Sequence, residues 1–529
     1  MSAIPLAEFT HLLSACRPPT GWGNFIIVAL SGGPDSICLL SLLKRASLDV
    51  PLRSITIDHG LQPTSRDSAL RTRTRSEAIG VPGEILPAEW DRGKPSQGEA
   101  LEEAARDARY RALWRSLQTH GIGGGGPCTV MFGHHADDQL ETVIMRVLRG
   151  TGTYGLGGMR AVRRWGWTDL DGRRHLQTHT SESKADHVLR DMQTYITRPL
   201  LTIPKERILA TCRARNLEYE QDVTNFMPDL TVRNAVRHAL SRTHDSISTN
   251  RIYISSLANK TPISVFTAGI PESSSISAHK TPTSLPADGI RASVSTGGIQ
   301  AAISHVHTLA GGTGAPNLEL MRAYVGKMSA RVREVDEIVT DYLRTHTRPS
   351  PPSTLLLVPW LGGQMERDVA HALVHRILRY VSPHPWGTPE SEAHRRTTSI
   401  ERIIQRVFYE KDNPVSFCAG AHVLWSPVWA RTDGKIRTRQ TRDERKGKVR
   451  AWLASRQPPS RSTSLERQVS PGEKLIVWDN RFLIRVPESD DHSRLFVRPR
   501  GRLVLPRLVR NDHVVDDCGV EFVRGLGAI

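Results

Sequence analysis

The sequence predicts an α/β protein, with a doubly wound parallel sheet followed by a helical domain and a small β-rich C-terminal region. Three observations carry that reading. Between Asn24 and about Asp222, short β-branched runs alternate with longer helical stretches. Leu318, Met321, Val325, Met328, Val332, Val335 and Val339 recur at helical spacing, and beyond Val415 short β-rich runs alternate with turn residues. The 529 residues leave room for about three to four domains.

In chain order, residues 1–23 form an N-terminal extension and 24–242 the α/β domain. Its first strand is 25–30. A Gly-Gly turn follows, then a helix opening at Asp35-Ser36 with an apolar face. The second strand is 53–58, followed by a polar helix over 65–79. A weaker strand near 84–86 precedes a long amphipathic helix over 99–119. The glycines of 123–126 punctuate it, and strand 129–132 feeds a helix starting near Ala136. From Thr243 to Gly312, 21 of 70 residues are Ser or Thr with few large apolar side chains at a regular period. Such a segment does not offset its ordering entropy by burial, so 243–316 is expected to be a flexible insertion. Helical periodicity over 317–343, 367–381 and 399–408 defines a helical domain at 317–414, and 415–529 reads as a basic, mostly β appendage.

Composition bounds the function. Lys plus Arg total 71 against 54 Asp plus Glu, a net charge of +17, which favours a polyanionic partner such as nucleic acid. A basic run, Lys435, Arg437, Arg439, Arg442, Arg445, Lys446, Lys448 and Arg450, is a candidate phosphate-binding surface. The six cysteines lie far apart with no C-x-x-C, so neither a zinc ribbon nor an iron–sulfur site is spelled locally, and a reducing compartment fits best. The longest apolar runs, 25–30 and 355–358, fall far short of the roughly 18 residues of a membrane span. The first 24 residues hold one basic residue, Arg17, and one acidic residue, Glu8, unlike a secretory signal or an Arg-rich transit peptide, which leaves the compartment open between mitochondrion and cytoplasm.

The chemistry is concentrated in a few strings. Ser31-Gly32-Gly33-Pro34-Asp35-Ser36 stands where a strand ends and a helix begins. Free N–H groups and the helix dipole favour an anion at that junction, and glycine lets backbone approach a phosphate closely. No G-x-x-x-x-G-K-[ST] occurs, so this is not the usual P-loop. The S-G-G-x-D-S pattern resembles the pyrophosphate-binding loop of N-type ATP pyrophosphatases, which cut ATP between its α and β phosphates and adenylate a substrate.

Further motifs narrow the resemblance. Thr56-Ile-Asp58-His-Gly-Leu61 ends the second strand; Glu102 to Tyr110 carries Arg106 and Arg109; Gly133-His134-His135-Ala-Asp137-Asp138-Gln-Leu-Glu141 follows another strand. Arg198-Pro-Leu-Leu201 and Asp222-Val-Thr-Asn225 precede Arg233-Asn234-Ala-Val-Arg237. This ordered series, from about Phe25 to His238, is similar to tRNA(Ile)-lysidine synthetases. The resemblance implies ATP-dependent ligation of free L-lysine to C2 of the wobble cytidine in a CAU-anticodon tRNA(Ile), through an adenylate, with release of AMP and pyrophosphate. It places Ser31, Gly32, Gly33, Pro34, Asp35, Ser36, His134 and Asp138 at the nucleotide. Asp35, Asp58, Arg106, Arg109, Asp137 and Asp222 take catalytic places, and Arg198, Asn225, Arg233, Asn234 and Arg237 face the tRNA. Hard Mg²⁺ prefers carboxylate oxygen and water, so Asp35 and Asp137 are its candidate ligands. The lysine amine, with a pKa near 10.4, must lose a proton before attack, for which Asp58, Asp137 and Asp222 are available.

The chain departs from the resemblance by a polar stretch at 160–196 and by the Ser/Thr-rich segment, whose low complexity suggests a eukaryotic, fungal-like member. Two other readings are a tRNA thiolase sharing the same loop, which the missing C-x-x-C opposes, and an RNA-binding protein whose nucleotide domain is retired, which the intact loop opposes.

Overall fold

A computed structural model describes residues 1–88, 90, 101–119, 128–150, 153–165, 192–220, 231–245, 296–358, 365–410, 414–431, 436–437, 448–460, 464–487, 495–501, 505–515 and 519–527. Asp222, Asn225 and most of the basic run 435–450 lie outside them. The chain divides into two compact units. One holds Met1–Ala136, Arg160–Gln221 and Ala330–Ile529; the other holds Asp137–Met159 and Asp222–Ser329.

The first unit is built on β1 (Ile26–Ala29), whose four-residue apolar run is covered on both faces. β1 pairs in parallel with β2 (Leu52–Asp58) on one side and β4 (Cys128–Met131) on the other. β3 (Gly83–Pro87) adds beyond β2. β6 (Thr194–Thr197) adds in parallel beyond β4, and β5 (Val162–Arg164) closes that edge antiparallel. The order β3-β2-β1-β4-β6-β5 is the expected doubly wound sheet.

Period-two alternation splits the side chains of β1 between two cores. Ile26 and Val28 pack with α1 (Leu6–Ala15), α2 (Pro34–Ala46) and α6 (Lys205–Ala214). Ile27 faces the opposite way, into Tyr110, Leu113, Trp114 and Leu117 of α4 (Leu101–Thr119), together with Trp165. β5 and β6 arise within or beside the polar stretch 160–196.

Farther along the same unit, the second half of α9 (Leu318–His346) supplies Val335, Val339 and Leu343 to a core shared with α10 (Arg367–Val381) and α11 (Thr397–Ile404). The segment expected to be helical also contains β7 (Thr347–Pro349) and β8 (Leu355–Leu357). β8 pairs with β12 (Lys448–Arg456), which pairs with β10 (Val423–Arg431), so helices and C-terminal strands share one core and no domain boundary falls at 414. Leu355, Leu356 and Leu357 are all buried, as a strand covered on both faces requires. Smaller antiparallel sheets follow, including β14 (Leu475–Trp478) with β15 (Phe482–Arg485).

Two buried arginines tie this region together. Arg481 donates to the carbonyl of Val381 at 3.1 Å and pairs with Asp479 at 2.6 Å. Arg524 donates to the carbonyls of Arg379 at 2.8 Å, Ser382 at 2.6 Å and Asn480 at 3.0 Å. They satisfy carbonyls at the end of α10 that have no intrahelical donor.

The second unit corrects the extent of the flexible insertion. Thr296–Leu309 forms α8, with Ile299, Ala302, Ile303 and Val306 buried at helical spacing. They pack on Leu140, Val143 and Ile144 of α5 (Ala136–Leu148), Val236 and Leu240 of α7 (Val232–Asp245), and Met321 and Val325 of α9. The expectation of no periodic apolar face fails here because a seventy-residue Ser/Thr average hides four apolar residues on one stripe. Residues 246–295 lie outside the described residues. No helix among the described residues is long and apolar enough to cross a membrane.

Ile303, fully buried, should be a keystone of this unit. Ile303→Ala is expected to lower unfolding stability by roughly 2–5 kcal/mol, read by chemical denaturation. A change within experimental error would show that α8 is not packed as described.

Candidate active site

The chain leaves β1 toward β2 on one side while β4 flanks the other, so the crevice at the carboxyl ends of β1 and β4 is a topological switch point, where ligands bind in open α/β sheets. Both loops at that crevice carry predicted residues. After β1, Gly32 takes φ +83°, and a Cβ there would lie 2.4 Å from Thr72 Oγ1 on α3 (Ser65–Ala78). Only glycine fits both the backbone angle and the space. Gly33 caps α2 without a side-chain hydrogen bond and Pro34 takes its first position, so the amides of the first turn face outward uncapped by the protein's own side chains. Ser36 Oγ sits inside the loop, 3.1 Å from Gly33 O, 3.2 Å from the Ser31 N–H and 3.2 Å from Ser31 Oγ. The loop is also anchored from outside, since the Glu220 N–H donates to Gly32 O at 2.8 Å. The Glu220 carboxylate in turn accepts from Arg71 at 2.8 Å and Arg75 at 2.7 Å. Those hydrogen bonds, Arg71's first, hold its carboxyl below the ordinary value.

The loop after β4 presses on the same helix turn. A Cβ at Gly133 would stand 2.9 Å from the carbonyl carbon and oxygen of Asp35. His134 and His135 are thereby set against α2. Buried His135 places Nε2 3.6 Å from Asp35 Oδ1. His134 stacks on Phe132 with ring centroids 5.5 Å apart and accepts at Nδ1 from Arg198 Nε at 3.1 Å. Asp35 itself is gripped by Lys205 Nζ, at 2.5 Å and 2.7 Å from its two oxygens. Lys205 was not singled out from sequence. The available signal was its position as the first residue of α6, next to Pro204.

Asp58 stands at the end of β2 as expected, its Oδ1 accepting the Gly60 N–H at 3.0 Å in a tight turn. Arg106 lies on the exposed side of α4 and reaches Tyr110 Oη at 3.1 Å. Arg109 is half-buried on the same helix.

The second unit gathers Asp137, Asp138 and Glu141, all in the first turns of α5, against three arginines. Arg322 Nε donates to Asp137 at 2.9 Å. Arg233 bridges Asp138 at 2.6 Å and Glu141 at 2.7 Å. Arg237 Nε meets the other oxygen of Glu141 at 2.8 Å. Glu141 is 2% exposed, and a carboxylate that buried is stable only because two guanidiniums face it. Sequence reasoning set Arg233 and Arg237 on one helix face but missed that this face meets carboxylates. Glu141 lay within the quoted motif, three residues after Asp138. Arg322 is 185 residues from its partner and had no local signal. Asn234 is buried, its N–H donating to Thr231 Oγ1 at 3.1 Å.

A family model described as a PP-loop domain matches residues 9–244. Among curated relatives, the chain is 30% identical over 264 residues to a tRNA(Ile)-lysidine synthase of Methylobacterium nodulans, covering 48% of this chain and 67% of that protein. The chain belongs to this family. It is also 34% identical over 232 residues to a tRNA(Ile)-lysidine synthase of Bradyrhizobium sp., covering 43% of this chain and 54% of that one. A probable tRNA(Ile)-lysidine synthase of Schizosaccharomyces pombe is 30% identical over 248 residues, with 46% and 49% covered. The chain thus spans about half the length of the first curated relatives it matches. The Ser31–Ser36 string lies within the matched PP-loop domain, and the sulfur-carrying alternative is not favoured.

Two outcomes follow from the anchoring of that loop. Gly32→Ala is expected to destabilise the protein by about 1–3 kcal/mol through backbone strain. Adding Thr72→Ala should relieve the steric part only, leaving a residual loss in the melting curve. For Glu220, a depressed carboxyl means stabilisation that is present above its ordinary value of 4.5 and lost as pH falls below it. Its side chain is 25% exposed, so the difference between wild type and Glu220→Gln should be at most about 1 kcal/mol at neutral pH and shrink as pH falls below 4.5 through the depressed value. A gap that persists in acid would contradict this.

Proposed function

We propose that this chain is an ATP-dependent ligase that joins free L-lysine to C2 of the wobble cytidine in a CAU-anticodon tRNA(Ile), through an adenylated intermediate, releasing AMP and pyrophosphate. The observation that carries the reading is the glycine-cradled loop at the β1/β4 switch point, with Asp35 and His135 facing each other across it, in a chain of this family.

The uncapped first turn of α2 and the Ser31 and Ser36 hydroxyls suit the pyrophosphate half of ATP. Among the described residues, no group of three His, Cys, Asp or Glu side chains is placed to hold a metal. Mg²⁺ is commonly bound by one or two carboxylates, substrate phosphates and water. Asp35 and Asp137 are each a candidate for such a carboxylate; when bound, the ion would neutralise charge on the departing pyrophosphate. Lys205, touching both oxygens of Asp35, orients that carboxylate. His134, fixed through Nδ1 by Arg198, is assigned to the nucleotide.

The carboxylates Asp137, Asp138 and Glu141 would favour an ammonium group, and Arg233, Arg237 and Arg322 hold them in place. We therefore assign Arg233 and Arg237 to positioning these carboxylates. Asp58, Asp137 and Asp222 are the candidate acceptors of the lysine proton, and Asn225, Asn234 and the +17 chain are assigned to tRNA.

The test is mass spectrometry of the wobble nucleoside of a CAU-anticodon tRNA(Ile) after incubation with ATP and lysine. Lysidine is expected only with all three substrates present. Asp35→Asn should slow lysine- and tRNA-dependent AMP release by on the order of a hundredfold or more, with an unchanged melting curve. Unmodified cytidine with the wild-type chain would overturn the assignment.

A further inference from the structure

The phenol of Tyr110 is surrounded by guanidiniums. It is 2% exposed, stacked on Phe132 at 5.7 Å and tilted against Trp165 at 5.2 Å. Arg106 Nη2 donates to its oxygen at 3.1 Å, and Arg163 Nη2 lies 3.5 Å away. Arg106 also stands over the ring at 4.7 Å. Arg198, 3% exposed, acts on the same phenol through its charge. It donates to the Arg160 carbonyl at 2.8 Å and to His134.

Among the described residues, no carboxylate pairs with Arg106, Arg163 or Arg198. The contrast with Arg233, Arg237 and Arg322 is direct, since each of those has an acidic partner. Three cations converging on one neutral phenol, one of them almost wholly buried, is an unfavourable arrangement unless an anion completes it. Burial strains both partners. It pushes Arg198 down to about 10. It would raise Tyr110, yet the guanidiniums of Arg106, Arg163 and Arg198 outweigh it and bring the phenol to about 8.

We propose that Arg106, Arg163 and Arg198, organised around Tyr110, form a receptor for one phosphate group, built from residues outside the Ser31–Ser36 loop. Arg106 is exposed, and Arg163 comes from β5, within the polar stretch 160–196. Guanidiniums suit phosphate oxygens through paired N–H donors. The phosphate could belong to a nucleotide or to an RNA backbone; both present the same tetrahedral anion. The receptor stands on these contacts and does not require the ligase reading.

An anion bound beside the phenol opposes its ionisation, which gives a readout independent of catalysis. The full chain, labelled with ¹³Cζ-tyrosine, is titrated by NMR, with the Tyr110 signal identified by its loss in Tyr110→Phe. Without ligand the signal should titrate near 8. Inorganic phosphate should move the midpoint upward by about one pH unit, equivalent to an about tenfold lower phenolate-to-phenol ratio at pH 8. Sodium chloride at equal ionic strength should not. Arg163→Gln should weaken the phosphate response about tenfold, and Arg163→Lys should restore part of it. AMP and a short unphosphorylated oligoribonucleotide then separate the sources, because the true ligand moves the midpoint at lower concentration. A Tyr110 midpoint in the ordinary range near 10, a midpoint that no phosphate compound moves, or an equal response to chloride would each overturn the receptor.

Discussion

Two strand-end loops of this protein touch because the one after β4 carries glycine where they meet. β1 and β4 are paired in parallel, so their following loops emerge side by side, and any side chain at position 133 would overlap the Asp35 carbonyl. The first turn of α2 is thereby pinned beneath the two histidines, while Glu220 fixes the Gly32 carbonyl from the other direction. Asp35, His135 and Lys205 come from three separated parts of the chain, and this close backbone approach is what lets them share one space. A wider gap between the loops would leave a sheet of the same order without its chemistry.

Much of that arrangement was legible in the sequence. The strands at 26–29, 52–58 and 128–131 follow from dense apolar runs ended by turn residues, and the glycine string announces a strand-to-helix junction. β6 was harder, because Thr194-Tyr-Ile-Thr197 is short and sits beside a polar stretch. α8 was missed for a different reason. It lies at the end of a seventy-residue Ser/Thr-rich segment read as one block, although Ile299, Ala302, Ile303 and Val306 keep strict helical spacing. What local pattern does not carry at all is partnership over distance. Lys205 and Asp35 are 170 residues apart, and Arg322 and Asp137 are 185 apart. The helix face bearing Arg233 and Arg237 reads as a solvated stripe until the buried Glu141 is seen against it.

Arginine serves three distinct purposes here, and neighbours decide which. Against Asp138 and Glu141 it neutralises buried carboxylates. Around Tyr110 it leaves positive charge in excess. At the end of α10 it acts as a many-pronged donor to backbone carbonyls, with Asp479 alone offsetting the charge of Arg481. A net charge of +17 is therefore not one uniform coat. Part of it is interior framework and unavailable to a polyanion.

The Arg524 contacts also bear on the order in which the molecule can be assembled during synthesis. The carbonyls of Arg379 and Ser382 lie 145 and 142 residues before the guanidinium that satisfies them. Translation at about 5–20 residues per second puts several seconds or more between the two events. Throughout that interval the end of α10 must be served by water, even though the helix and the strand β8 beside it have already left the ribosome. The α/β sheet, whose last strand ends at Thr197, takes its ladder hydrogen bonds from residues already made. Synthesis therefore delivers a completed sheet long before the C-terminal half is able to close, and the late-arriving arginine is the latch.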